Sequence, residues 1–156
     1  MKITIQPSPT ADTRTCDWSK VTKEELLRAS LMHKQDIAKA MGFFQTLLTE
    51  AAVRHDHDKL HAIEHFHSDF KGGFKETSWW DNHRAVNRHH LRDADGIPTD
   101  VNLIDVLDYI ADCVMAGMAR SGSVYDITLP SELLARAFKN TTELLKAAVV
   151  VEGSKP

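Results

Sequence analysis

His55-Asp56-His57-Asp58-Lys59 is the densest run of chemistry in this 156-residue chain, and eight of its nine histidines lie between positions 55 and 90. Imidazole is a costly filler for a core and the commonest metal ligand among side chains, so such crowding needs a cause. An adjacent His-Asp pair offers a neutral nitrogen and an anionic oxygen from neighbouring positions, and the carboxylate can bridge two ions. Working outward, His33 lies upstream, while His83, His89-His90 and an acidic series, Asp105, Asp108 and Asp112, lie downstream. Histidines and carboxylates drawn from several segments suit a divalent first-row transition metal.

The segments carrying these residues read as helices. Thr22-Lys23-Glu24-Glu25 is a capping box at the start of the first, with Glu25 placed to reach back to the cap amide. Leu26, Ser30, Ile37, Ala40, Phe44 and Leu47 then recur at helical spacing, with His33 inside the stripe. A second helix is expected over 49–70 and is broken by Gly72-Gly73; a third runs over 77–91. Thr99 or Asp100 caps a fourth, which Ser121-Gly122-Ser123 ends, and Pro130-Ser131-Glu132 opens a fifth that reaches 151. The prediction is an all-α, single-domain bundle of about five main helices with a metal site at its centre. It has an N-terminal arm over 1–18, a helical domain over 19–151 and a flexible tail over 152–156.

Composition narrows the function classes. Hydrophobic residues make up 42% of the chain, which is ordinary for a globular domain, and no apolar run approaches the length of a membrane span. The start lacks a secretory apolar region, and Cys16 and Cys113 show no paired spacing. Both observations point to reduced thiols and a cytoplasmic location. A formal net charge of −3 argues against an extended nucleic-acid surface but leaves room for a small anion near the local basic residues. The apolar fifth helix and its Ala147-Ala148-Val149-Val150-Val151 end are a candidate surface for a homodimer.

Within the third helix, His83, Asn87 and His90 share a face by their spacing of four and three, which favours His90 over His89 as a ligand unless the helix unwinds. Arg84 and Arg88 form a basic row beside them, suited in geometry to phosphate oxygens. On the fourth helix Asp105, Asp108 and Asp112 flank an apolar stripe, and spacing alone does not choose a ligand among them. His57, His61, His65 and His67 are expected to be mostly surface residues, with His61 and His65 the exceptions.

The order His33, His55-Asp56, Asp112 resembles the signature of the HD-domain superfamily of metal-dependent phosphohydrolases. His83 and His89-His90 extend it toward the pattern of binuclear members such as cyclic-nucleotide phosphodiesterases. Met32-His33-Lys34, His55-Asp56-x-x-Lys59, His83-x-x-x-Asn87-x-His89-His90 and Leu103-Ile104-Asp105 with Asp112 are similar to a family of small phage and bacterial proteins, over about residues 20–120. The resemblance implies a first metal on His33, His55, Asp56 and Asp112, with Asp108 the next choice should Asp112 face away. It implies that Asp56 bridges to a second ion held by His83 and by one or both of His89 and His90. One or two ions of manganese, iron, cobalt, nickel or zinc are expected.

The resemblance further implies hydrolysis of a phosphate ester, that of a nucleotide or deoxynucleotide, by a metal-activated water. Asp56 and Lys59 would serve catalysis, and Lys34, Lys59, Arg84 and Arg88 would bind the small-molecule substrate. Two other readings use the same residues: a di-iron oxygenase, and a metal-stabilised nucleotide-binding or regulatory phage protein without turnover.

Overall fold

The computed structural model describes residues 1–8, 17–75, 78–92 and 96–153. The architecture is all-α apart from one short pair of strands. In chain order the elements are β1 (Ile3–Ile5), α1 (Lys23–Arg54), α2 (His57–His61), α3 (Ile63–Lys71), α4 (Trp79–Val86), a 3-10 turn (Arg88–His90), α5 (Leu103–Ser121), α6 (Ser131–Ala148) and β2 (Val149–Val151). Among the described residues no helix is long and apolar enough to cross a membrane. Cys113 is a buried free thiol, and Cys16 lies outside the described residues.

Two compact units divide the chain, Met1–Thr46 with Glu143–Pro156, and Leu47–Thr142. In the first, β1 pairs in parallel with β2, Ile3 opposite Val149 and Ile5 opposite Val151. Parallel pairing needs a crossover rather than a hairpin, and here the intervening chain supplies it. The Val149–Val151 end offered above to a second copy is thus taken by the protein's own N-terminus. Glu152, expected in the free tail, continues the ladder by donating its N–H to the Ile5 carbonyl at 2.9 Å. The Lys39 ammonium bonds the Thr4 carbonyl, and Lys2 bonds that of Ala147. The Thr22–Glu25 capping box forms as read: the Thr22 N–H donates to Glu25 Oε2 at 2.9 Å and the Glu25 N–H to Thr22 Oγ1 at 3.2 Å. The buried face of α1 differs from expectation. Ala29 and Phe43 are buried, while Leu26 and Ile37 are exposed.

The second unit holds the core that supports the site. Leu91, Val101, Val106, Leu133 and Ala137 pack together, joined by Ile97, Leu103, Tyr109 and Leu129. Asn102, rather than Thr99 or Asp100, caps α5: its side chain accepts from the N–H groups of Ile104 and Asp105, and Asp105 accepts from the Asn102 N–H. That capping box satisfies donors the first turn would leave unpaired. Gly122 ends the helix at φ 68°, a left-handed position that glycine occupies without steric cost. Thr141 ties α6 to α5 by accepting from the Leu103 N–H and donating to the Ala137 carbonyl, both at 2.8 Å.

Leu133 is 3% exposed within this cluster. Leu133→Ala is expected to destabilise the protein by about 2–5 kcal/mol, through lost burial and the cavity left behind. A urea titration followed by circular dichroism reads the loss as a lower midpoint with an unchanged slope.

Candidate metal centre

The site begins where α1 stops. Asp56 has φ 52° and ψ 23°, a left-handed conformation that Asp and Asn tolerate better than other side chains. This turn divides the segment expected to be one helix over 49–70 and lets His55 and Asp56 leave the backbone in different directions. The Asp56 N–H donates to Asn87 Oδ1 at 3.1 Å, and Lys59 places its ammonium on Asp56 Oδ2.

The other wall comes from 79–90. The helix expected to continue to 91 stops at Val86, because Asn87 takes φ −96° and ψ 108°, and a 3-10 turn follows. The shared helical face of His83, Asn87 and His90 is therefore lost. The unwound backbone presents both His89 and His90, so the preference for His90 alone is corrected.

Asp56 Oδ1 lies 3.4 Å from His83 Nε2 and 3.6 Å from His89 Nε2. One donor atom each from Asp56, His83, His89 and His90 fall within 4.8 Å of one another. Asp56 Oδ1, His83 Nε2 and His90 Nε2 are buried without a hydrogen-bond partner among the described residues. A buried polar atom left unpaired costs about 1–3 kcal/mol, and three such atoms on residues whose donor atoms gather this closely have the chemistry a cation would satisfy. Imidazole nitrogens with one carboxylate are a donor set that could hold a divalent metal ion.

A second group adjoins it. His55, His89 and Asp108 also bring donor atoms within 4.8 Å of one another, and the His55 and His89 rings stack at 4.1 Å. His55 Nδ1 is 2.8 Å from Asp108 Oδ1, which leaves Nε2 facing Asp56 Oδ2 at 3.7 Å and Asp112 Oδ1 at 3.8 Å. The carboxylate bonded to His55 is thus Asp108, the alternative to Asp112 in the sequence reading. Asp112 stands farther off with its side chain 35% exposed.

Charge states suit ligation. Burial, then the neighbouring His55, lowers the pKa of His89; burial, then His89 and His83, lowers that of His90 to about 4. Both rings are neutral near pH 7. Burial opposes ionisation of Asp56, but the hydrogen bond and charge of Lys59, with His55 and His89, outweigh it and hold the carboxyl below its ordinary range. Trp79 and Trp80 stack on His83, with centroids at 4.8 and 5.3 Å, and line the site with apolar surface.

Several expected site residues are placed elsewhere. His33 and Lys34 lie exposed on α1 in the first unit, and His33 belongs to neither donor group. α1 runs from Lys23 to Arg54, so the two helices expected on either side of residue 48 are one up to that point. Arg88 is not free for substrate: its Nε and Nη2 each bond Asp105 at 2.7 Å, and Nη1 bonds Asp100. Asp105 is buried, so this fork neutralises an interior carboxylate. Arg84 bonds Asp81 and lies over the Trp80 ring. His61, His65 and His67 are exposed, including the two named as exceptions, and His57 is partly buried with Nδ1 on the Arg54 carbonyl. Sequence reasoning did not single out Asp58, which bonds His83, although the repeated His-Asp of 55–58 held the signal.

Compared with protein-family models, with curated proteins and with solved structures, the chain gives no match.

Arg88→Ala is expected to cost about 1–3 kcal/mol, less than for a fully buried pair because the guanidinium is 41% exposed. Urea unfolding measures it. For His90 the sign follows from linkage: the unfolded histidine binds more protons than the folded one between about pH 6.5 and 4, so this contribution to stability falls as pH drops through that window. The metal-free His90→Gln protein should lose less stability than the wild type between pH 7 and 5, measured by urea midpoints at each pH.

Proposed function

We propose that this protein is a metal-dependent phosphohydrolase acting on a phosphate ester, that of a nucleotide or deoxynucleotide. The observation that carries the reading is the gathering of one donor atom each from Asp56, His83, His89 and His90 within 4.8 Å, where Asp56 Oδ1, His83 Nε2 and His90 Nε2 are buried without a hydrogen-bond partner among the described residues. Asp56, His83, His89 and His90 would hold one ion. His55, with Asp56 and an acidic residue of α5, is the candidate set for a second. A bound divalent ion supplies an acidified water and charge stabilisation at phosphoryl oxygens.

The chain's own residues provide the rest. Asp56 offers two oxygens in different directions, Oδ1 toward His83 and His89 and Oδ2 toward His55 and Lys59. Lys59 is the cation best placed to meet a substrate phosphate, since its ammonium stands at the edge of the donor cluster and, once released from Asp56, is free to bind phosphate oxygens. Arg88 has no such role, because Asp105 and Asp100 occupy it. The ring faces of Trp79 and Trp80 restrict water around His83 and strengthen electrostatic interactions there.

The test combines elemental analysis of the purified protein with a phosphate-release screen of metals against nucleotides. Asp56→Asn should lose both bound metal and phosphate release while keeping its fold, since Asn also accepts the left-handed backbone. Lys59→Ala should keep the metal and lose turnover or phosphate affinity. Full metal content and wild-type hydrolysis in Asp56→Asn would overturn the mechanism, and oxygen consumption without phosphate release would replace hydrolysis with oxygenase chemistry.

A further inference from the structure

His83 is fully buried, yet stacking on Trp79 and Trp80 fixes only the plane of its ring. A half-turn about the Cβ–Cγ bond preserves that plane but moves both nitrogens to the positions of ring carbons. Something else must choose which edge faces Asp56. Asp58 lies at the opposite edge, with its two oxygens 2.9 and 3.1 Å from His83 Nδ1. An ionised carboxylate only accepts hydrogen bonds, so it keeps the ring proton on Nδ1. Burial raises the pKa of Asp58, but the hydrogen bonds from Asn87 and His83 outweigh this and favour its ionised form.

Asn87 completes the arrangement and is itself buried. Its Nδ2 lies 2.8 Å from Asp58 Oδ1, 2.9 Å from the His83 carbonyl and 3.0 Å from His83 Nδ1; its two hydrogens go to the two oxygens, the stronger and nearer acceptors, which leaves Nδ1 to donate to Asp58. Its Oδ1 accepts the N–H of Asp56. A single carboxamide therefore connects the carboxylate that holds the imidazole, the end of α4 and the left-handed turn that carries the facing carboxylate. Asp58 has a side chain only 13% exposed, and its named partners are an imidazole and an amide rather than a lysine or arginine. A carboxylate that far from water costs free energy unless it is well bonded, which makes its placement against one histidine a specific feature.

We propose that Asp58 and Asn87 are positioning residues that hold His83 as its Nδ1–H tautomer, with the Nε2 lone pair aimed at Asp56. In the ion-holding site described above, on which this part rests, the negative charge of Asp58 also makes Nε2 a better donor to the metal. Carboxylates placed behind a metal-bound histidine act in this way, and their loss weakens metal binding by roughly 10–100-fold.

Two measurements test the two parts separately. Long-range 1H–15N spectra of metal-free protein at pH 8 report the tautomer directly and need no metal. The wild type should show His83 protonated on Nδ1, and Asp58→Ala should shift it toward Nε2–H. A wild-type Nε2–H signal, or an unchanged tautomer in Asp58→Ala, overturns the clamp whether or not metal binds. Calorimetric titration with Co2+ reads the affinity. Asp58→Ala should bind roughly 10–100-fold more weakly and with an altered visible Co2+ spectrum, while Asp58→Asn, which can still accept the Nδ1 proton, should fall between it and the wild type. Equal affinities and spectra in all three proteins overturn the tuning role. If the wild type itself takes up no Co2+, the metal reading fails, and the spectra alone decide whether the clamp stands.

Discussion

The left-handed turn at Asp56 is the constraint on which the site depends. An α-helix continued through this residue would carry His55, Asp56 and Lys59 around one regular surface. At φ 52° the helix stops, and Asp56 turns one carboxylate oxygen toward His83 and His89 while Lys59 reaches the other. The conformation costs free energy for any residue but glycine, and it is held from across the site by Asn87 accepting the Asp56 N–H. Backbone strain and donor geometry are thus joined through one carboxamide.

The same economy appears on the opposite wall. The backbone leaves the helix at Asn87, and that departure frees its side chain to reach Asp58 and brings both His89 and His90 inward. The left-handed Leu91 that follows is buried in the core with Val101 and Val106, which anchors the 3-10 turn beneath the histidines. Arg88, between Asn87 and His89 in sequence, turns away to Asp105, whose carboxylate also closes the capping box of α5. The acidic helix is thereby fixed against the histidine turn at its first residues, with Asp108 one turn further on beside His55.

Electrostatically the site separates its charges by environment. The histidines nearest Asp56 lie deepest, and burial keeps His89 and His90 neutral. The carboxylates Asp56 and Asp58 stay ionised because each has its own compensating donor, Lys59 for one and Asn87 with His83 for the other. Neutral imidazoles beside ionised carboxylates are the protonation states a divalent ion requires of its ligands.

Much of the helical framework was legible in the residues themselves, because the relevant signals are local. Thr22 and Glu25 lie three apart and bond as a capping box anywhere they occur at a helix start; Gly122 can turn left-handed at the end of α5; Pro130 precedes α6. The crowding of histidine around 55–90 likewise marks a donor-rich region. Other features needed the tertiary structure. The helical pattern in the sequence does not mark the breaks at Asp56 and Asn87, which are joined by a hydrogen bond between residues 31 apart. Whether Arg88 is a phosphate ligand or a structural cation depends on Asp105, 17 residues away. Residue type and spacing determined which atoms can act as donors; only long-range hydrogen bonding and burial decided which of them meet, because those free energies belong to pairs that the chain brings together on folding.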